Sequence, residues 1–569
     1  MRFTNGAFVA IGVAAVFLLS SLAFHAAAAS VPEASVQILF DLGDGTYAWS
    51  PRLPVLSPSA SNATWNATLQ AAAEDGISIQ WSWYSYFGAF VTGLGGRNPP
   101  AGNGLFLWNE STRAWDLASV GISSLVLRGN ATIALSNSAF DSVTYATRVP
   151  VPTPDDPYPV TQFRGDLQNR GTAPTPGPLT NTTLWDRALP LQEIAATPAV
   201  GLGRVYVNTL DGFYALDERT GEVSWENLAV KGLSSPALVD NTVLVGGSDG
   251  KIHALNATSG QERWNTTLVA HPMFSGITSS PKVAYDLAYV GTFNESGGPG
   301  EVVALWISNG SIAWRHTTAS IDFSSPAVYD GSVYIGVMGR YNTTTQVTWD
   351  PPFGVLALDA ATGGEEWFFP TNASVAASPV VTAGVVLVPA KNGYVYAINR
   401  SHGAVLWSRF VQAGVSSPAL DGDTLLVGGG SFGEGGLVTA VDVASGTSKW
   451  TFPANGPVQS SLTVAGGTVY FATNTASGTI YAVNATTGLL VWSYKPSPAQ
   501  FILGSPVVAD GLLYAVSDNG HVYAFMDLPA QHSTVVQDMF SPLLIGAVGL
   551  IAIAVAVVVL WIRRSRHGP

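Results

Sequence analysis

A chain of 569 residues is too long for one ordinary domain, so two or more are expected. Hydrophobic residues make up 47% and charged residues only 11%, against about 25% charged in typical soluble domains, while 60 Gly and 35 Pro call for many turns between short strands. Cys is absent, which excludes disulfides, zinc–thiolate sites and cysteine nucleophiles, and a net charge of −13 argues against a nucleic-acid partner.

The chain opens with Arg2, an uncharged run Ala7–Phe24 and the small residues Ala26–Ala29. A basic start, an apolar run and a small-residue exit predict a secretory signal peptide over 1–29. Residues 35–147 do not repeat. "VQILFDLGDG" (Val36–Gly45) reads as a strand ending in a Gly turn, "NATLQAAAEDG" (Asn66–Gly76) as a short helix, and "FGAFVTGLGG" (Phe87–Gly96) as strand and turn. With the Trp-bearing stretch Gly104–Leu135, this order resembles a small α+β family related to the C-terminal domain of transcobalamin. That resemblance implies a ligand- or partner-binding module and carries no catalytic residues. The Pro-rich run "VPVPTPDDPYPV" (Val149–Val160) starts a linker and lead-in over 148–175.

One unit then recurs across 176–527. It opens with a small residue, usually followed by Pro, at Pro198, Pro236, Pro281, Pro326, Pro379, Pro418, Ser461 and Pro506, at spacings of 38 to 53. About four short alternating strands follow, for example "RVYVN" and "GFYALD". An Asp/Asn-x-x-Thr/Ser-Gly turn stands at Asp217–Gly221, Asn256–Gly260, Asp359–Gly363, Asp442–Gly446 and Asn484–Gly488, with Asn399–Gly403 as a variant. There the Asp or Asn side chain caps the turn and Gly takes the positive φ. Repetition makes these carboxylates turn residues rather than catalytic ones. A Trp closes the unit at 225, 264, 314, 367, 407, 450 and 492, and Trp185 lies 40 residues before the first. Eight openings and seven closings imply that Leu184–Leu189 supplies the outer strand of the last unit and closes a ring.

The phrases "ALDERTGEVSW" and "ALNATSGQERW" resemble the signature of quinoprotein-type propeller repeats, and "FRGDLQNRG" (Phe163–Gly171) resembles the segment that precedes them. The resemblance implies a mainly β protein, an eight-bladed β-propeller behind the small α+β domain. The repeat family includes pyrroloquinoline-quinone alcohol dehydrogenases and non-catalytic scaffolds similar to the propeller lipoprotein of outer-membrane assembly. The dehydrogenases' vicinal Cys pair has no counterpart here, so no cofactor is expected.

Insertions between second and third strands fall at Thr292–Glu301, Met338–Gly354 and Gly428–Gly436. Exposed aromatics in long loops suit protein or glycan contact, which makes Arg340, Tyr341, Trp349, Asp350, Phe353 and Phe432 the candidate partner-binding residues. The eight His are scattered with no His-x₃-His pair, so no metal site is expected. After a juxtamembrane stretch at 528–542, Leu543–Ile562 is uncharged and long enough to span a hydrocarbon core about 30 Å thick. Trp561, Arg563, Arg564 and Arg566 flank it, which places the tail 563–569 in the cytoplasm and the rest outside. All 38 acidic residues fall in that outer part.

Thirteen Asn-x-Ser/Thr sites also lie there: Asn62, Asn66, Asn109, Asn130, Asn181, Asn256, Asn265, Asn294, Asn309, Asn342, Asn372, Asn399 and Asn484. Random placement would give roughly four, so a glycosylated surface is expected. The functional expectation is a single-pass, membrane-anchored extracellular binding or scaffold protein for a protein, glycan or small ligand. A quinone-dependent dehydrogenase-like enzyme is the alternative, and a structural surface-layer or adhesion component is the second.

Overall fold

The computed structural model describes residues 34–527 apart from 44–45, 56–61, 85–87, 98–102, 110, 112–113, 128, 138–152, 154–157, 191–195, 271, 273–275, 432 and 434. The expected signal segment 1–29 and membrane span 543–562 therefore lie outside the described residues, as does Phe432. Among the described residues no helix is long and apolar enough to cross a membrane.

The N-terminal part forms a mixed sheet whose central pair is parallel, Ala34–Asp41 against Gly129–Ser136. Gly104–Asn109 and Ala114–Leu117 extend one side, and Tyr47–Trp49 the other. The expected helix runs over Ala63–Glu74 and buries Trp65, Ala67, Ala71 and Ala72 against the sheet. A separate two-stranded ribbon, Ile79–Tyr84 and Gly88–Leu94, covers the expected strand-and-turn segment. Tyr47 ties this part to the chain that follows: its hydroxyl donates to Pro159 O at 3.1 Å and its ring stacks on Tyr158.

From residue 182 the strands form four-stranded antiparallel sheets in the order first-second-third-fourth. The first contains Ala199–Gly201, Arg204–Asn208, Phe213–Asp217 and Val223–Asn227. Two of the eight groupings, over residues 380–454, join through one pairing, Ala413 with Gly429. Innermost strands of neighbouring sheets touch in succession. The last sheet has only Val507–Ala509, Leu512–Ser517 and His521–Met526 from its own stretch of chain, and takes Thr182–Ala188 as its outer strand. Ring closure is thus made as the Trp count implied, with the strand at 182–188 rather than 184–189.

The repeat's local residues explain how the sheets lock together. Asp217 Oδ1 accepts the N–H groups of Arg219 and Thr220, and Gly221 follows with φ +70°. A Cβ on Gly221 would lie 2.6 Å from the ring of Trp185, so this Gly is also demanded by close packing. The Trp185 indole N–H then donates to Glu218 O in that turn at 2.9 Å. The same bond recurs from Trp225 to Ala257, Trp264 to Ile307, Trp314 to Ala360, Trp367 to Arg400, Trp407 to Val443 and Trp450 to Ala485. Trp492 completes the circuit on Pro178, just before the borrowed strand.

The lead-in is the second organising element. Each innermost strand has one free edge, and unpaired buried N–H groups are costly. Residues 160–173 run round the inside of the ring and satisfy seven of those edges in turn. The N–H groups of Val200, Leu238, Val328, Val381, Leu420 and Val464 donate to the carbonyls of Val160, Thr161, Leu167, Gln168, Arg170 and Gly171. Val283 N–H donates to the Gln162 side chain at 3.1 Å.

Trp185→Ala removes both the indole bond and the packing of the borrowed strand, in a side chain only 8% exposed. A loss of about 3–5 kcal/mol is expected. Thermal or denaturant unfolding of the variant checks this, and an unchanged melting temperature would count against closure through Thr182–Ala188.

Candidate functional site

At the centre of the ring the small residue that opens each repeat makes a closed hydrogen-bond circuit. Thr197 N–H donates to Ser235 Oγ, Ser235 to Ser280, Ser280 to Ser325, and Ser325 to Ser378. Ser378 donates to Ser417, Ser417 to Ser461, Ser461 to Ser505, and Ser505 back to Thr197 Oγ1. The distances run from 2.8 to 3.3 Å. These groups are buried, so each backbone N–H depends on the next hydroxyl around the ring.

Above this circuit lies a cavity of about 550 Å³ whose wall includes Thr197, Ser235, Ser280, Ser417, Ser461 and Ser505. Phe163 of the lead-in contributes to its lining, so the pit is closed from below by the segment that caps the inner strands. The rest of the wall comes from connectors between sheets, such as Thr278, Phe323 and Gln459, and from loops between second and third strands, such as Lys391, Ser431 and Asn474. The mouth therefore opens on the face of the long insertions, opposite the Asp/Asn-Gly turns.

One wall of the mouth is chemically distinct. Asp322 is buried and accepts the Thr278 hydroxyl at 2.8 Å, while Thr278 Oγ1 accepts Phe323 N–H at 3.0 Å. Burial pushes the Asp322 carboxyl up to about 6; the Thr278 hydrogen bond and the Lys391 charge oppose this, and Glu295 adds to it. Phe323 sits at φ +65°, a left-handed conformation that bulky residues rarely adopt, and is 41% exposed. The connector thus holds a large apolar side chain at the mouth in a conformation maintained by the Asp322–Thr278 pair behind it.

Beneath the cavity the lead-in carries buried charge. Lys282 occupies the position that other repeats fill with small or apolar residues such as Ala199, Ala237 and Ala327. It is fully buried, and its ammonium donates to Phe163 O at 2.7 Å and Asp166 O at 2.8 Å. Burial lowers its pKa to about 7, against a restoring pull from Asp166 and a further lowering by Arg164. Arg164 is likewise lowered to about 9 by burial, opposed by Asp166, and donates to Pro418 O. Asp166 holds Arg170 through its Nε at 2.7 Å.

The sequence-derived contact residues gather elsewhere. Arg340–Tyr341 and Trp349–Asp350 pair as a two-stranded ribbon. Tyr341 and Trp349 pack on each other and on Phe293 of the neighbouring insertion, with ring centroids 5.1 to 5.6 Å apart. Phe353 packs over Gly339, Asp350 accepts from Asn342 Nδ2, and Arg340 is exposed. None of these five lines the central cavity. The residues that do line it sit in short connectors. The available signal was Asp322, four residues before Pro326, where the corresponding positions hold Gly232, Ile277, Val375, Gly414, Val458 and Ile502.

A quinone cofactor with three carboxylates, as the resemblance to dehydrogenases implies, would need several cations. Lys391 is the one cation among the described lining residues. Among the described residues no group of three His, Cys, Asp or Glu is placed to hold a metal ion. The described donor set does not fit that cofactor and its calcium.

A family profile described as outer membrane protein assembly factor BamB matches residues 177–348, 342–434 and 434–538, more than half of the chain. The chain belongs to that family. The BamB protein of Moranella endobia is 27% identical over 262 residues, covering 43% of this chain and 62% of that protein. Tetrathionate hydrolase of Acidithiobacillus ferrooxidans is 24% identical over 322 residues, 54% of each chain. This BamB-family chain therefore spans about half to two thirds of the length of the curated relatives it matches. Among solved structures, quinohemoprotein alcohol dehydrogenase ADHIIG of Pseudomonas putida HK5 aligns with TM-score 0.56 and 16% identity over 65% of this chain and 80% of that one. At that identity the likeness is one of fold.

Two outcomes follow from this geometry. Ser325→Ala leaves the Ser280 N–H without its acceptor and should cost about 1–3 kcal/mol in chemical denaturation. Lys282→Met removes a lysine whose folded pKa, about 7, lies below the ordinary 10.5. Between those values the unfolded chain binds more protons, so the wild type gains stability as pH rises and loses it as pH falls through about 7. Melting curves across that range should show the wild type rising relative to the variant; parallel curves would contradict the shift.

Proposed function

We propose that this chain is an exported, membrane-anchored, eight-bladed propeller that binds a protein partner at the mouth of its central pit and has no catalysis of its own. The observation that carries the reading is Phe323. It is exposed at the rim of a cavity of about 550 Å³, in a left-handed conformation, and its connector is braced by buried Asp322 and Thr278. Strain of this kind persists where surroundings enforce it, and an exposed aromatic at the rim of a concave site suits an interface anchor.

Family membership supports a binding role, since the matched family and several of the matched relatives are named as outer membrane protein assembly factors. The segments 1–29 and 543–562, with Arg563, Arg564 and Arg566 behind the second, support export and anchoring with the propeller outside the cell. The alternative, a quinone-dependent dehydrogenase, draws on the fold likeness alone.

A photo-cross-linking residue placed at Phe323 tests the reading, with Leu490 on an outer strand as the comparison position. A discrete protein adduct is expected at Phe323 and not at Leu490. Lys391→Glu should reduce that adduct by about tenfold, the scale of one interface anchor. Equal labelling at both positions, or dye reduction with alcohols on addition of pyrroloquinoline quinone and calcium, would overturn the reading.

A further inference from the structure

The turns between third and fourth strands carry a chemical distinction that the turn itself does not need. Their first residue is Asp at 217, 359 and 442 but Asn at 256, 399 and 484, and Asn309 stands within the corresponding turn of the third sheet. In every case the turn uses one side-chain oxygen. Asp359 Oδ1 accepts the N–H groups of Ala361 and Thr362. Asn256 Oδ1 accepts from Thr258 and Ser259 at 2.9 and 3.0 Å, and Asn484 Oδ1 from Thr486 and Thr487 at 3.1 and 2.8 Å. Asn399 Oδ1 accepts from Ser401 N–H at 3.0 Å, and Asn309 Oδ1 from Ser311 N–H at 2.9 Å. Asp and Asn therefore serve these turns equally through oxygen. What Asn adds is Nδ2, and at 256, 309, 399 and 484 it has no hydrogen-bond partner among the described residues.

Each of these four residues begins an Asn-x-Ser/Thr sequence. The mouth-side insertions hold two more, and there the nitrogen is engaged. Asn294 Nδ2 donates to Pro299 O at 2.9 Å, and Asn342 Nδ2 to Asp350 Oδ2 at 3.2 Å. A substituent on either nitrogen would crowd or displace a contact that shapes its loop.

We propose that Asn256, Asn309, Asn399 and Asn484 carry N-linked glycans, that Asn294 and Asn342 do not, and that the turn face is sugar-coated while the mouth insertions stay bare. The donor class is an oligosaccharide linked through phosphate or diphosphate to a lipid. Nδ2 forms a bond to the sugar C1 as the C1–O bond breaks, with the electron pair leaving on the lipid phosphate. Nδ2 gives up one proton and retains the other. Oδ1 is untouched, so the turn hydrogen bonds survive the modification. Asn372, exposed and with no partner for Nδ2 among the described residues, stands in a connector and follows the same chemistry at the rim of the mouth face. The proposal rests on the export reading and sharpens it by assigning the face a partner can reach.

Glycopeptide mass spectrometry on the protein purified from its native host tests it, alongside protease treatment of the same intact cells. Glycan mass is expected on most copies at the four turn sites, with occupancy at least several-fold lower at Asn294 and Asn342. Thr486→Ala leaves Asn484 in place and should abolish the modification there. Asn484→Asp should do the same with the turn retained, as Asp217, Asp359 and Asp442 illustrate. A propeller digested by external protease yet bare at all four turn sites would overturn the proposal. So would equal occupancy at Asn342, or a mass that persists in Thr486→Ala. Protection from protease in intact cells would instead remove the export reading on which it rests.

Discussion

Everything in the ring depends on one contact made eight times: an indole N–H of one sheet donated to a backbone carbonyl of the next, in seven cases within a turn. The turn must present that carbonyl, and in six of the seven turns an Asp or Asn oxygen at the first position gathers the N–H groups behind it. In the seven turns of this kind, a Gly at positive φ lies under the indole ring. Tyr206 and Tyr289 add their hydroxyls to carbonyls that the neighbouring Trp residues already engage, on Ala257 and Ala360. A linear stack of sheets would leave one Trp without a turn and one turn without a Trp. The borrowed strand removes both ends at once, since it brings Trp185 to the first turn and places Pro178 where Trp492 can reach it.

The inner circumference meets a different constraint. The eight sheet openings come together at the centre, and each places a buried Ser or Thr there. Their hydroxyls bridge sheet to sheet, while a second set of buried serines, including Ser234, Ser324 and Ser460, accepts N–H groups from the adjoining second strand. The remaining unpaired edge is covered by the lead-in. That choice brings Arg164, Asp166 and Lys282 into the interior, where the two cations donate to backbone carbonyls and feel the Asp166 charge.

A central channel closed on one side becomes a pit on the other, and the two faces then acquire different chemistry. The closed turns present short, repeated, polar hairpins. Among the described residues the mouth collects the long insertions, whose side chains lie outside the repeated contacts of the ring. Asp322, Phe323 and Lys391 are of this kind: Phe323 and Lys391 line a concave, largely uncharged wall, and Asp322 lies buried behind it.

The sequence by itself determined the repeat, its turns, the excess of openings over closing Trp residues, and hence the closure of the ring. It also determined a helix in the preceding module, expected over Asn66–Gly76 and found over Ala63–Glu74. These signals are legible because each is local: a turn needs five residues, a strand a period of two, a helix a run of apolar spacing. What lay beyond it were the meetings of residues roughly forty-five positions apart. That Ser280 caps Ser235, that Lys282 faces the lead-in carbonyls, and that Phe323 stands at the rim follow only once the sheets converge on a common axis. The long insertion shows the same limit from the other side. Its aromatic composition marked Tyr341 and Trp349 as exposed, whereas the neighbouring insertion supplies Phe293 for them to pack against. Burial of apolar surface between loops adjacent in space, not in sequence, decided where those side chains went.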